Sequence, residues 1–342
     1  MKRTMDPVLI IAEAGVNHNG DIDMAYRLID VAANAGADVV KFQTFRADLI
    51  IASNAPKAAY QARATGTSEG QLEMVRKLEL SVADHDLLRD HAERNGIRFL
   101  STPFDPDSIV LLQKMGITLG KIPSGEVTNK PYLQAMAKAF PDLILSTGMC
   151  SLDEVRQAID VLEQAGALRE RLTLLHCNTE YPTPMADVNL RAMYTLAQTF
   201  GTRIGYSDHT LGIEVPIAAV ALGAVVIEKH ITLDRELPGP DHRASLEPDE
   251  LKAMVKAIRN VEKALGTELK EPSPSELPNR IIARKSIHLR RAMEAGRAIG
   301  TEDLIMLRPG DGVSPMRMNE VIGRQVKHDL PEGHKLGEED LA

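Results

Sequence analysis

Short apolar runs that stop at a charged or hydroxylated residue recur along the chain, alternating with helical patterns through residue 265. The runs predict eight strands: Leu9–Ala12, Val39–Phe42, Arg98–Leu100, Leu119–Ile122, Leu143–Leu145, Leu172–Leu175, Arg203–Gly205 and Val225–Ile227. Several are apolar throughout, as expected of parallel strands covered on both faces. Between them lie helical repeats such as Asp23–Ala35 and Leu152–Ala165, and in the second Leu152, Val155, Ile159 and Leu162 fall on one face. Strands and helices in strict alternation, with polar residues at one rim, predict an α/β fold, a (β/α)₈ TIM barrel. Its chemistry is expected at the C-terminal ends of the strands.

Two rim connections are long. One runs from Thr44 to Leu80 after the second strand, and within it Ser53–Gln71 is expected to touch substrate. The other, Thr232 to Ser245, follows the eighth strand and contains Pro238-Gly239-Pro240-Asp241-His242. The barrel domain is expected over 1–266 and a linker over 267–280, where Glu271-Pro272-Ser273-Pro274-Ser275 favours extended chain. The remainder, 281–342, carries an internal echo. Ala295-Gly296 and Ile299-Gly300-Thr301-Glu302-Asp303-Leu304 match Glu332-Gly333 and Leu336-Gly337-Glu338-Glu339-Asp340-Leu341. So small a module has little core, and is expected to lean on the barrel or on another chain.

Composition narrows the function. At 342 residues the chain suits a barrel of about 250 residues plus an appendage. A net charge of −8 argues against nucleic-acid binding, and any anionic substrate would need lysines and arginines gathered at its site. No apolar run approaches the roughly 20 residues of a membrane span. The two cysteines, Cys150 and Cys177, make no disulfide framework and read as reduced thiols of a cytoplasmic protein.

The candidate chemistry sits at the strand ends. His209 and His230 follow the neighbouring seventh and eighth strands, where two imidazoles can share a metal ion and leave positions open for water and substrate. Glu13 and Glu228 close the first and eighth strands, adjacent in a closed barrel, and Asp241 lies in the loop after the eighth. Lys41 and Lys121 end the second and fourth strands and need anionic partners, either buried glutamates or a bound phosphate or carboxylate. Thr102, Ser124, Ser146, Asn178 and Ser207 add neutral hydrogen-bonding groups, which together suit a small phosphorylated acid. A Schiff-base role for Lys121, as in lysine aldolases, is the rival enzyme reading. A non-catalytic sugar-binding protein is the rival from another class, suggested only by the appended module.

The exact strings go further. Ile10-Ile11-Ala12-Glu13-Ala14-Gly15-Val16-Asn17-His18-Asn19-Gly20, Val40-Lys41-Phe42-Gln43-Thr44, Lys121-Ile122-Pro123-Ser124-Gly125-Glu126, Ser207-Asp208-His209-Thr210 and Glu228-Lys229-His230 resemble the sialic acid synthase family. His176-Cys177-Asn178-Thr179-Glu180-Tyr181-Pro182, Gly239-Pro240-Asp241-His242 and Lys285-Ser286-Ile287 extend the likeness over about residues 8 to 340. The C-terminal module resembles that family's antifreeze-like (SAF) domain. The resemblance implies metal-assisted condensation of phosphoenolpyruvate with an N-acyl mannosamine-type sugar, giving a nine-carbon ulosonic acid and phosphate. His209 and His230 would hold Mn²⁺, with Mg²⁺ or Co²⁺ as other candidates, while Glu13 and Glu228 would handle protons. Lys41, Thr102, Lys121, Ser124, Ser146, Asn178 and Ser207 would hold phosphoenolpyruvate, and Tyr181 and Asp241 would face the sugar. Arg308 would reach a partner subunit's site, implying a domain-swapped homodimer. Some members carry Gly at the position of Pro123 and Asn at that of Thr179, so Thr179 is not counted as a ligand. The strings fit the neuraminic and legionaminic branches, and of the two neuraminate is the expectation.

Overall fold

The computed structural model describes residues 6–58, 61–62 and 70–342, which fall into two compact units divided after Gly266. In the first, eight strands run β1 (Leu9–Gly15), β2 (Val39–Thr44), β3 (Arg98–Pro103), β4 (Leu119–Ile122), β5 (Asp142–Ser146), β6 (Leu172–His176), β7 (Arg203–Asp208) and β8 (Val226–His230). They pair in parallel in the order β3-β2-β1-β8-β7-β6-β5-β4, and the two end strands lie side by side, closing the barrel.

Most strands continue past the expected ends into the polar residues. β1 runs to Gly15, β7 to Asp208 and β8 to His230, because parallel ladders such as Glu13 to Lys41 and Ser207 to Glu228 continue there. Side chains alternate along a strand, so the extra residues point alternately into the barrel and out to the helices. Ile11, Val39, Leu100, Ile144, Leu175 and Val226 form an aliphatic plug inside the barrel. Two residues further along each strand stand Glu13, Lys41, Thr102, Ser146, Cys177 and Glu228. The polar layer therefore rests directly on an apolar one.

The larger core lies between strands and surrounding helices. Helix α1 (Ile22–Ala35) starts at Asp21, whose carboxylate accepts from the Asp23 and Met24 amides, and ends at Gly36 in the left-handed region. It buries Ala25, Leu28, Ile29 and Ala32 against that core. The helix expected at Leu152–Ala165 spans Leu152–Gln164 and opens with a Ser151–Glu154 capping box. In the long connection after β2, short helices form over Ala47–Ile50 and Gln71–Arg76. Residues 59–60 and 63–69 of the segment expected to touch substrate lie outside the described ones.

The second unit has a core of its own, including Ile287, Leu289, Leu304, Val326, Leu336 and Leu341. Its strands Ser286–Leu289 and Leu304–Leu307 pair antiparallel. The echoed sequences make echoed turns, with Asp303 accepting from the Gly300 amide at 2.9 Å and Asp340 from the Gly337 amide at 2.8 Å. A short helix covers Leu277–Ala283, across the boundary that the prolines placed at 280, since Pro278 sits in its first turn, where no amide donor is needed.

Candidate active site

A cavity of about 620 Å³ opens at the C-terminal end of the barrel, a size suited to a small-molecule site. Glu13, Lys41, Thr102, Lys121, Ser124, Ser146, Tyr181, Ser207, His209, Glu228, His230 and Asp241 all border it. Asn178 takes another place. Its Oδ1 accepts from the Glu180 amide at 2.8 Å within its own loop, and its carbonyl accepts from Nδ1 of His209. Arg308 belongs to the second unit, where its Nε donates to the Ala283 carbonyl at 3.0 Å.

The floor is a buried ionic lattice. Lys41 Nζ contacts Glu13, lies 3.7 Å from Glu228 Oε2 and donates to Thr102 Oγ1 at 2.8 Å. Lys121 Nζ lies 3.3 Å from Glu228 Oε1 and donates to Ser146 Oγ at 2.9 Å, while Ser207 Oγ donates to the same glutamate oxygen at 2.8 Å. Both lysines are only 3% exposed, so neither charge would be tolerated without these partners.

The two glutamates diverge. Burial works against the charge on each. At Glu228 the opposing pull of Lys121, then Lys41 and the Ser207 hydroxyl, prevails and holds the carboxyl well below the ordinary range. At Glu13 burial prevails over Lys41, with Glu228 adding repulsion, and the value rises to about 7. Burial also opposes the charge of Lys41, but Glu13 and Glu228 outweigh it and strengthen its hold on its proton. One carboxylate is thus fixed as an anion and the other is poised to exchange a proton near neutrality.

Above this floor stand the imidazoles, their ring centroids 5.5 Å apart. The ring of Tyr181 stacks on His209 at 4.1 Å and meets His230 edge-on at 5.5 Å. A carbonyl can only accept, so the bond to Asn178 puts the His209 proton on Nδ1 and leaves Nε2 as the acceptor, 2.9 Å from the Tyr181 hydroxyl. Burial, acting first, pushes His209 down to about 4 and His230 well below the usual imidazole range, so both are neutral at pH 7. The buried Nδ1 of His230 has no hydrogen-bond partner among the described residues. Two neutral imidazoles, one carrying an orphaned nitrogen, fit a divalent ion. Among the described residues no His, Cys, Asp or Glu completes a three-ligand cluster, so water or substrate would fill the remaining positions.

Several residues escaped the sequence reading. Cys177 and Gln43 border the cavity because they stand on the inward face, two positions past Leu175 and Lys41, a signal that strand periodicity carries. Asn17 donates to the Ile231 carbonyl at 2.8 Å and to Ser245 Oγ at 2.9 Å, and Ser245 donates to the Asp241 carbonyl at 2.7 Å. That clamp ties the loop after β1 to the loop carrying Asp241, whose carboxyl is pushed up to about 7 by burial alone. Gly15 sits at φ +54°, in the left-handed region that favours glycine, and a Cβ there would press on Glu13 at 3.2 Å and His230 at 3.3 Å.

Paired lysines and glutamates beneath two imidazoles, in the mouth of a (β/α)₈ barrel, have the make-up of an enzyme's active site. The chain belongs to the NeuB family: residues 28–270 match the NeuB model, and residues 284–342 match the SAF domain. It is thus an enzyme of the nonulosonic acid synthase class. It is 49% identical to N,N'-diacetyllegionaminic acid synthase of Campylobacter jejuni, covering 98% of this chain and 100% of that relative. It is 51% identical to the enzyme of the same name from Legionella pneumophila, covering 96% and 92%. A crystal structure of N-acetylneuraminic acid (sialic acid) synthetase from Leptospira borgpetersenii superposes with a TM-score of 0.70 at 36% identity, covering 80% of this chain and 90% of that one.

Proposed function

We propose that this enzyme is an N,N'-diacetyllegionaminate synthase, condensing phosphoenolpyruvate with 2,4-diacetamido-2,4,6-trideoxymannose to give the nonulosonic acid and phosphate. The observation that carries the reaction is the pair of buried lysines beside one fixed and one poised carboxylate. The acceptor follows the relatives. Identity near one half throughout the chain lies with legionaminic acid synthases, and the neuraminate expectation gives way to it. Motif strings shared by both branches report the common chemistry of the floor, which is why they did not separate the two sugars.

In this reading Lys41 and Lys121, with Thr102, Ser124, Ser146 and Ser207, hold the phosphate and carboxylate of phosphoenolpyruvate. Tyr181 and Asp241 face the sugar. His209 and His230 would hold a divalent ion, Mn²⁺ by the family resemblance, which supplies Lewis-acid polarisation of the aldehyde oxygen. The π electrons of phosphoenolpyruvate form the new bond from C3 to the aldehyde carbon. Glu13, protonated at first, gives its proton to the aldehyde oxygen, which becomes a hydroxyl. Glu228, ionised, steadies the positive charge left at C2. Water then adds to C2 and gives one proton to Glu13. The C2–O bond to phosphate breaks as the new hydroxyl gives its remaining proton to the departing phosphate, which leaves the ketone. A lysine Schiff base is less favoured, because the Lys121 ammonium is engaged by Glu228 and Ser146. A cytoplasmic site of action and a swapped homodimer with Arg308 at the partner's site belong to the same proposal.

The test is phosphate release from phosphoenolpyruvate with the diacetamido sugar and with N-acetylmannosamine, before and after chelation. The expected result is a higher kcat/KM for the diacetamido sugar, and activity that needs a divalent ion. Preference for N-acetylmannosamine would return the enzyme to the neuraminate branch.

A further inference from the structure

One wall of the cavity is apolar in a way that the chemistry of the floor does not require. Val16, Phe45 and Leu78 are buried together, with Ile50, Val75 and Phe104 packed against them, as a cluster separate from the barrel cores. All six border the cavity. Phe45 and Phe104 meet edge to face at 6.2 Å. The wall is pinned from behind, with the Arg46 amide donating to Asp105 at 2.9 Å and Arg76 paired to Asp48.

Its position is set by topology. Val16, Phe45 and Phe104 follow β1, β2 and β3; the strand order places β2 and β3 across the barrel from β6 and β7, which Tyr181 and His209 follow, while β1 lies beside β8, which ends at His230. In the proposed orientation, a sugar whose aldehyde meets the imidazoles would direct its far end across the mouth toward β2 and β3. A hydroxyl brought against that wall loses water and gains no partner from these six side chains, whereas a methyl group gains contact. Gln61 and Gln71 also border the cavity, and their amides suit an acetamido group.

We propose that this cluster determines acceptor specificity by receiving the deoxygenated C6 methyl of the sugar. The inference rests on the proposed function for the direction of binding, but concerns C6 alone. Its test uses N-acetylmannosamine and its 6-deoxy analogue, which differ only by that hydroxyl, with native enzyme, Val75→Thr and Leu78→Asn. The native enzyme is expected to favour the 6-deoxy sugar by about 100-fold in kcat/KM, the discrimination an apolar pocket shows against an added hydroxyl. Each variant should shrink that ratio at least tenfold, chiefly by losing activity on the 6-deoxy sugar. A purely architectural wall would lower both sugars alike and leave the ratio unchanged, which overturns the proposal, as does a native ratio near one. The diacetamido sugar, assayed alongside, separates the two claims. If native enzyme prefers it to N-acetylmannosamine while the C6 ratio stays fixed in the variants, the wall inference alone fails. If it prefers N-acetylmannosamine, the legionaminate reading fails.

Discussion

Lys121 shows how one residue type carries two readings until its neighbours are known. An amine that attacks a carbonyl must be free, whereas Lys121 donates to Ser146 and pairs with Glu228 on the floor of the barrel. Lys121→Ala should therefore act on anion binding. A hydrogen bond to a charged group contributes about 1.5–3 kcal/mol, so KM for phosphoenolpyruvate should rise roughly 10- to 150-fold. Borohydride treatment in the presence of substrate should leave no reduced adduct on this lysine, and mass spectrometry of the treated protein decides it. The glutamates make the same point. Both were legible as strand-end acids, but their division into a fixed anion and a proton carrier depends on which lysines face each carboxyl.

At the scale of elements, the strand ends carry two layers at once. Ser207, Glu228 and His230 face the cavity, while Asp208 and Lys229, between them in sequence, pair at 2.6 Å with neither side chain exposed to solvent. Lys229 also donates to the Thr210 carbonyl, and the Thr210 hydroxyl and amide bond Asp208. This pair locks the ends of β7 and β8 from behind. Asp208→Asn leaves a buried lysine without its counter-charge, and should cost about 3–5 kcal/mol in denaturant unfolding. In the sequence Asp208 and Lys229 are only letters of a motif, because alternation shows that they point away from the site without naming what they meet.

For the molecule as a whole, buried ionisable groups pull stability in opposite directions with pH. Burial lowers His18 and His242 from 6.5 to about 4 in the folded state. Their contribution is complete above 6.5 and is lost as pH falls toward 4. Asp241 is raised from 3.8 to about 7, so its contribution is complete below 3.8 and is lost as pH rises through 7. Asp241→Asn should therefore raise Tm more at pH 8 than at pH 5 while lowering turnover, and His18→Gln should flatten the acid side of the Tm profile. Calorimetry across the pH range checks both. The second unit sets another test. Glu13→Ala and Arg308→Ala chains, each inactive alone, should regain part of the activity on mixing if Arg308 serves a partner's site. No rescue in mixed dimers shown to form would remove that role.

The chain by itself determined the alternation of strands and helices, the family strings and the acids, lysines, histidines and hydroxyls at the strand ends, but not Gln43, Gln61 or Gln71 at the cavity. Period and composition are local properties, and strand-end acids, lysines and histidines are conspicuous because they interrupt apolar runs. Tertiary structure decided what those residues are to one another. It carried the strands on through the polar residues, because ladder bonds to a neighbour do not depend on side-chain polarity. It turned Asn178 into the group that orients His209, drew Asn17 and Ser245 into a clamp under Asp241, and brought Val16, Phe45, Leu78 and Phe104 into one wall. Those residues lie far apart along the chain, and only closure of the barrel sets which of them share a cavity, and with it the protonation of each buried group.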